Sequence, residues 1–333
     1  MVTRSIAKHQ VFAGDPEGKS GGTLLLRGGD LAIQLRREIR SATGRLLDCG
    51  GELPRLVTVS VAETPAALAY RRSIIRTLER VGLRHDPVNL AGDSGNRELR
   101  ELLLRFSDDP QVTGVLVLMP MPSHCSVEVV NEYLAPMKDV DGITPANAGR
   151  LHLGLPCLAP STPQGGIALL DHYGISITGK HVVVVGRSNV VGRPLSALML
   201  QRDATVTVCH SKTHNLAELT RSADILAVAT GTPKWLNREY VAEGATVLDF
   251  GINVLDDKVV GDADSTDLLD HAGAITPVPG GTGPVTALVL ARNTVAAGYA
   301  QLGGTMESLS SAFDEFVCPQ LDRAVGCDSS FGH

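Results

Sequence analysis

Apolar residues return every three or four positions from Leu31 to Leu47, which predicts an amphipathic helix. The β-branched run Leu56 to Val61 predicts a short strand. Ala66 to Val81 is helical in pattern again, and Val112 to Met119 forms a further strand candidate. The later half repeats the rhythm, with strand candidates His181–Val185, Thr205–Cys209, Ile225–Ala229 and Thr246–Phe250, separated by segments long enough for helices. Pro194–Leu200 continues as a helix after the first of these. Alternating strands and helices predict parallel sheets with helices outside. Ser161–Tyr173 and Val285–Ala297 are patterned as two helices joining the halves, so the chain leaves a first domain, builds a second and returns. No internal repeat or low-complexity tract interrupts this order.

Composition narrows the field. A chain of 333 residues, 43% hydrophobic and 20% charged, has ample material for two cores. Its net charge of −6 argues against a partner held by phosphate neutralisation, so no nucleic acid is expected. No apolar stretch reaches membrane-spanning length, and no membrane is expected. Met1 to Gly22 is polar, lacks a secretory apolar core and is expected to be a flexible tail. The six cysteines (Cys49, Cys125, Cys157, Cys209, Cys318 and Cys327) form no CxxC pair. No metal site is therefore expected, and a reducing, cytoplasmic setting is.

Two segments carry chemistry. Ile275 to Thr286 packs three prolines and three glycines into twelve residues before an apolar helical pattern. Proline fixes φ and glycine permits close approach, so this is a stiff, shaped loop of the kind that lines a site. Val182 to Gly192 is a strand, a glycine turn and a helix start, an arrangement whose free N–H groups and helix dipole attract phosphate. Gly186 and Gly192 are separated by five residues, which is not the GxGxxG spacing. An NAD site usually has an acid about 20 residues past the glycine turn. Here the second strand ends in Cys209-His210-Ser211-Lys212-Thr213. Positive charge at Arg187 and Lys212 and the Ser211 hydroxyl suit a 2′-phosphate, so NADP is preferred over NAD.

The proline-glycine loop resembles the "PVPGGVGPMT" signature of the methylenetetrahydrofolate dehydrogenase/cyclohydrolase family. The likeness continues through Lys138-Asp139-Val140-Asp141-Gly142, Pro160-Ser161-Thr162-Pro163, the turn from Gly186 to Pro194 and Asp249-Phe250-Gly251-Ile252-Asn253, in the family's order. It runs from about Leu24 to about Ala300. It implies an α/β fold of two domains, a βαβ catalytic domain and a Rossmann-type dinucleotide-binding domain, with a cleft between them. The boundaries expected are a tail over 1–23, the catalytic domain over 24–160 plus 286–320, the NADP-binding domain over 161–285 and a loose tail over 321–333. The resemblance also implies a homodimer, and cofactor contacts from Gly186, Arg187, Ser188, Gly192, Arg193, Ser211, Lys212 and Ile252.

Family catalysis uses a tyrosine and a lysine four residues apart on one helix, a glutamine on a neighbouring strand and an aspartate that holds the pterin. The matching positions here are Tyr70, Ile74, Leu118 and Asp141. Thr144 stands where the family often has histidine and Ala67 where it often has serine. Tyr70 and Asp141 are thus the catalytic candidates, and Ile74, Leu118, Pro279, Gly280 and Gly283 the pocket candidates. Arg71 and Arg72 lie on other helix faces than Tyr70 and do not replace the lysine. Apolar side chains cannot hold a developing charge. The expectation is an NADP-dependent oxidoreductase that acts on 5,10-methylenetetrahydrofolate without cyclohydrolase activity. Two alternatives stand beside it: the same redox fold acting on a non-folate substrate such as an imine, and a non-catalytic cofactor-binding paralogue.

Overall fold

The computed structural model describes residues 19–20, 22–62 and 65–313. Its first elements are the strands β1 (Lys19–Ser20) and β2 (Thr23–Leu25), the helix α1 (Gly29–Asp48) and β3 (Arg55–Val61). There follow α2 (Pro65–Val81), β4 (Arg84–Leu90), α3 (Asn96–Asp108) and β5 (Gly114–Val117). The strand β3 lies between β4 and β5, all parallel. Alternation sorts the side chains into layers. Val57, Val59, Val115 and Val117 enter a core with α3, while Leu56, Leu116 and Leu118 enter a core with α1 and α2.

Two short helices, α4 (Val127–Tyr133) and α5 (Pro145–His152), lead to α6 (Ser161–His172), which crosses to the second domain. That domain runs through β6 (His181–Val185), α7 (Gly192–Leu200), β7 (Thr205–Cys209), α8 (Leu216–Arg221), β8 (Ile225–Val228) and β9 (Thr246–Asp249). It continues with a hairpin, β10 (Asn253–Leu255) and β11 (Lys258–Val260), then α9 (Ser265–Leu268) and β12 (Ala274–Ile275). The strand order is β1-β2-β12-β9-β8-β6-β7, parallel except at the β1–β2 edge. Both faces are covered: Val182 and Val184 point into one core, Val183 and Val185 into the other. The helix α10 (Gly283–Gly303) then returns to the first domain.

The joining helices tie the domains together. On α6, Leu169 belongs to the first-domain core, and Ile167 and Leu170 to the second. The helix α10 is buried along most of its length against α1, α2 and α6. Its one buried amide, Asn293, donates to the Val140 and Ala159 carbonyls, both at 2.8 Å. A segment this apolar on all sides packs as a central helix.

One boundary differs from expectation. Thr23–Leu25 pair with β12 in the second domain's sheet, so these residues belong to the second domain and not, as expected from residue 24 on, to the first. A three-residue strand carries too little pattern to be placed without its partner. Residues 1–18, Gly21 and 314–333, which contain most of the expected tails and Cys318 and Cys327, lie outside the described residues. Among those described, no helix is long and apolar enough to cross a membrane.

Candidate functional site

The nucleotide turn forms because two glycines pack where no side chain fits. Gly186 takes φ +130°, and a Cβ there would lie 2.4 Å from the Ala229 carbonyl oxygen. A Cβ on Gly192 would lie 2.1 Å from the Gly186 carbonyl oxygen. The Ser188 hydroxyl accepts from the N–H groups of Val191 at 3.1 Å and Gly192 at 3.4 Å, closing the turn at the start of α7. Among the described residues, no protein group accepts from the backbone N–H groups of residues 187–190. Exposed N–H groups beside a helix N-terminus fit a pyrophosphate.

Arg187 and Ser211 stand side by side by register. Val185 pairs with Cys209 across β6 and β7, and each candidate lies two residues beyond. Arg187, Arg193, Ser211 and Lys212 are all exposed. The turn after β7 is held by Thr213, whose hydroxyl accepts from His210 N–H at 2.9 Å and whose N–H donates to the His210 carbonyl at 2.8 Å. No acid stands in it. Ile252 is 74% exposed at the tip of the loop after β9.

That loop is anchored by two buried acids that the sequence does not mark as site residues. Asp249 accepts from the N–H groups of Gly251 at 2.8 Å, Asp262 at 3.1 Å and Ala263 at 2.9 Å. Burial pushes its carboxyl up to about 6 against the pull of those bonds. Asp262 accepts from Thr230 Oγ1 at 2.8 Å, Gly231 N–H at 3.0 Å and Asn253 Nδ2 at 2.8 Å. The loops after β8 and β9 are thereby locked together at the C-terminal edge of the sheet. In open α/β sheets this edge is where ligands bind.

The proline-glycine loop faces the same edge. Val278–Pro279 is cis, Gly280 takes φ +109°, and the Gly280 carbonyl accepts from Gly28 N–H at 2.9 Å, just before α1. Pro279 and Gly283 are exposed. A cavity of about 150 Å³ lies beside Gly283, lined also by Arg36, Ser73, Thr77 and Arg80. A larger one, about 460 Å³, opens at the opposite end of the second domain's strands, around Lys180, Asp224 and Thr246, away from these loops.

One catalytic candidate, Asp141, is held by a residue absent from the expected set. Ser161, the first residue of α6 and 1% exposed, donates its hydroxyl to Asp141 Oδ1 at 3.2 Å, with its N–H 3.5 Å from the same oxygen. Tyr70 lies near both Ser161 and Asp141, which act on its phenol in opposite directions. Burial, and then the charge of Asp139, push the Asp141 carboxyl up to about 6, while Ser161 pulls it down. Burial of the Tyr70 hydroxyl, and then Asp141, drive that phenol well above its ordinary range. The residue as a whole keeps 38% of its surface exposed.

The loop carrying Asp141 is set by its neighbours. Asp139 accepts from Thr144 N–H at 2.8 Å, Thr144 Oγ1 at 2.7 Å and Asn147 Nδ2 at 3.0 Å. Lys138 donates to the Phe106 carbonyl at 2.8 Å, and burial lowers its pKa. Gly142 at φ +60° packs against the Leu158 carbonyl oxygen, 2.3 Å from where a Cβ would lie.

Ile74 and Leu118 are not accessible pocket walls. They are 0% and 4% exposed and belong to the core shared by Leu78, Leu116, Val140 and Leu288. Leu118 continues the inward alternation of β5, and Ile74 lies one turn beyond Tyr70 on α2. Apolar side chains at these positions gain by leaving water. Arg71 is buried on another face and donates to Asn89 Oδ1.

Comparison with known proteins agrees with this geometry. The family model for the tetrahydrofolate dehydrogenase/cyclohydrolase catalytic domain matches residues 26–141, and that for the NAD(P)-binding domain of the same family matches residues 160–302. The bifunctional protein FolD of Herpetosiphon aurantiacus is 48% identical over 275 residues, covering 82% of this chain and 96% of the relative. The FolD structure from Campylobacter jejuni superposes with a TM-score of 0.79 at 38% identity, over 82% of this chain and 98% of that one. The Trypanosoma brucei methylenetetrahydrofolate dehydrogenase-cyclohydrolase, complexed with NADP cofactor and inhibitor, gives a TM-score of 0.79 at 30% identity over 83% and 97%.

Proposed function

The chain belongs to the tetrahydrofolate dehydrogenase/cyclohydrolase family, and on that footing we propose that it is an NADP-dependent 5,10-methylenetetrahydrofolate dehydrogenase without cyclohydrolase activity. The observation that carries the proposal is an asymmetry. The nucleotide turn is complete, with glycine wherever a Cβ would collide, whereas Ile74 and Leu118, which the family resemblance sets at the hydrolytic lysine and glutamine, are apolar and sealed in a core.

The backbone around Gly186 to Gly192 would hold the pyrophosphate, and Arg187, Ser211 and Lys212 the 2′-phosphate. Bound NADP supplies the hydride acceptor. The protein's task is to place the substrate and favour its oxidised form. An ionised Asp141 suits the adjacent N–H donors of a pterin edge. It also favours the positive charge that the oxidised product shares between two nitrogens. The exposed Tyr70 side chain offers a flat face to an aromatic substrate.

Cyclohydrolysis would need more. Water adding to that carbon requires a polar group to manage protons and charge. Ile74 and Leu118 provide none. A homodimer is part of the same proposal, and the exposed Ile252, Val254, Leu255 and Val259 along and beside the β10–β11 hairpin give it an apolar surface to cover.

A paired assay tests the reading: oxidation of methylenetetrahydrofolate with NADP and with NAD, beside hydrolysis of methenyltetrahydrofolate. NADP-dependent oxidation without enzymatic hydrolysis is the expected result. NADPH binding with no folate turnover would move the activity to another C=N or CH–NH substrate.

A further inference from the structure

Charge is unevenly placed on this chain. The whole carries −6, yet Arg36, Arg37 and Arg40 lie together on α1, and Arg72, Arg76 and Arg80 on α2. Of these, Arg36 and Arg80 line the cavity of about 150 Å³ beside Gly283. Among the described residues neither forms an ion pair with an acid. Glu38, two residues from Arg36, accepts from the Gln34 amide at 2.8 Å, and Glu79 lies on another face of α2. Unpaired cations around a cavity favour an anion within it.

The other walls suit the same ligand. The Thr77 hydroxyl donates to the Ser73 carbonyl at 2.9 Å, and among the described residues the Ser73 hydroxyl has no partner. Gly283 and Pro284 open α10, so the positive end of that helix borders the cavity. Arg40, one turn along α1 from Arg36, extends the positive surface and donates to the Arg80 carbonyl.

The cavity is also aligned with the substrate site. Tyr70, Ser73, Thr77 and Arg80 recur at three and four residues and so share one face of α2. From Tyr70 to Arg80 that face runs about 15 Å, at roughly 1.5 Å per residue. The exposed Tyr70 stands at one end and the exposed Arg80 at the other.

We propose that the groove between α1, α2 and the start of α10 is a subsite for the carboxylates of a folate's glutamyl tail, with Arg36 and Arg80 as its specificity-determining residues. The proposal rests on the folate reading. A folate with its pterin at Asp141 and its aminobenzoyl ring at Tyr70 sends its glutamyl group along this face. One glutamyl group carries two carboxylates, and each further γ-linked unit adds one. Arg36 and Arg80 meet the first two, and Arg40 the next. A guanidinium fork matches a carboxylate in shape as well as charge.

The test compares methylenetetrahydropteroate, which has no glutamate, with the monoglutamyl and triglutamyl folates. In the wild type KM is expected to fall as the tail lengthens, and added salt to erase that dependence. Arg36→Ala and Arg80→Ala are each expected to raise the monoglutamyl KM roughly 3- to 10-fold. The KM of the form without glutamate, the NADP KM and kcat are expected to hold. Arg37→Ala, exposed on another face of α1, is expected to change none of these. A wild-type KM that ignores the tail, or a variant effect equal with and without glutamate, overturns the subsite. Arg80 is exposed, so Arg80→Ala keeps the test decisive if Arg36→Ala does not fold. Binding of aminobenzoyl-tri-γ-glutamate to the full-length protein, followed by ligand-observed NMR, needs no turnover. Binding that both variants weaken, in a protein that does not oxidise folate, upholds the groove and counts against the folate reading alone. No binding to the wild type, or tighter binding of inorganic phosphate at equal ionic strength, overturns the tail assignment.

Discussion

Ile74 on α2 and Leu118 beyond β5 are buried in the same apolar cluster, 0% and 4% exposed, and Ile74 lies one turn from the exposed Tyr70. The site therefore ends in a hydrophobic wall behind its polar groups. Ile74→Lys would force an ammonium into that wall. The expected outcome is a Tm several degrees lower at pH 7, because a buried charge without a partner is costly. The sign with pH follows from the neutral amine being cheaper to bury: the substituted lysine's pKa falls on folding, and the loss shrinks as pH rises toward 10. Thermal scans at pH 7 and 9.5 check this, and a pH-independent loss would contradict it.

Glycine substitutions separate geometry from composition. Gly192→Ala places a Cβ 2.1 Å from a backbone oxygen in the nucleotide turn, so either the turn opens or α7 shifts. NADPH binding, followed by fluorescence, is expected to weaken by roughly tenfold or more, given that 1.4 kcal/mol is a factor of ten. Gly149 sits inside α5 with no neighbour within 4 Å of a Cβ. Gly149→Ala is expected to raise stability by about 0.5–1 kcal/mol and leave binding unchanged.

Arg187 is expected to distinguish the two nicotinamide cofactors. Arg187→Ala should weaken NADP binding by roughly 10- to 100-fold, the range for losing a charge-assisted contact. NAD binding should change little. Equal weakening of both, measured by titration calorimetry, would show that Arg187 does not read the 2′-phosphate.

Asp141 and Asp249 are both pushed up to about 6. Their folded pKa lies above the unfolded value, so each contributes most to stability below about 4 and loses that contribution as pH rises through 6. Asp141→Asn removes the charge without removing an acceptor for Ser161. It is expected to raise Tm by a few degrees at pH 8 relative to the parent protein and not at pH 4. At the same time it should lower folate kcat/KM on the order of 10²-fold, as removal of a charge-stabilising group does. Wild-type kcat/KM should fall as pH drops below 6.

Some of this fold was legible from residues alone. His181–Val185 and Thr205–Cys209 are apolar runs closed by a glycine or by polar residues, and both form strands over those bounds. Ile225–Val228 and Thr246–Asp249 end one residue earlier than their apolar pattern. The strand β4 was not legible: Arg84-His-Asp-Pro-Val-Asn-Leu90 is polar, contains a proline and forms the edge of its sheet, where proline is tolerated. Two-residue β12 exists because β2 and β9 flank it. In the site, the turn glycines were marked by spacing, and Tyr70 and Asp141 were candidates only through the family resemblance. Ser161 was not, since its meaning depends on a residue 20 positions earlier. Asp262 acts through Thr230 and Gly231, some 30 positions away, and nothing local marks it.

The central claim is that the hydrolytic half of the site is absent while the redox half is intact. It is tested most directly by following methenyltetrahydrofolate decay with and without enzyme, in the preparation that oxidises methylenetetrahydrofolate with NADP. Loss of one preorganised polar group costs on the order of 10²–10³ in rate, and under the proposal Ile74 and Leu118, both buried in the core, stand in for two. The predicted result is a decay rate equal to the spontaneous one at enzyme concentrations that give rapid oxidation. Enzyme-dependent hydrolysis well above the spontaneous rate would contradict the account and require another residue to do the lysine's work.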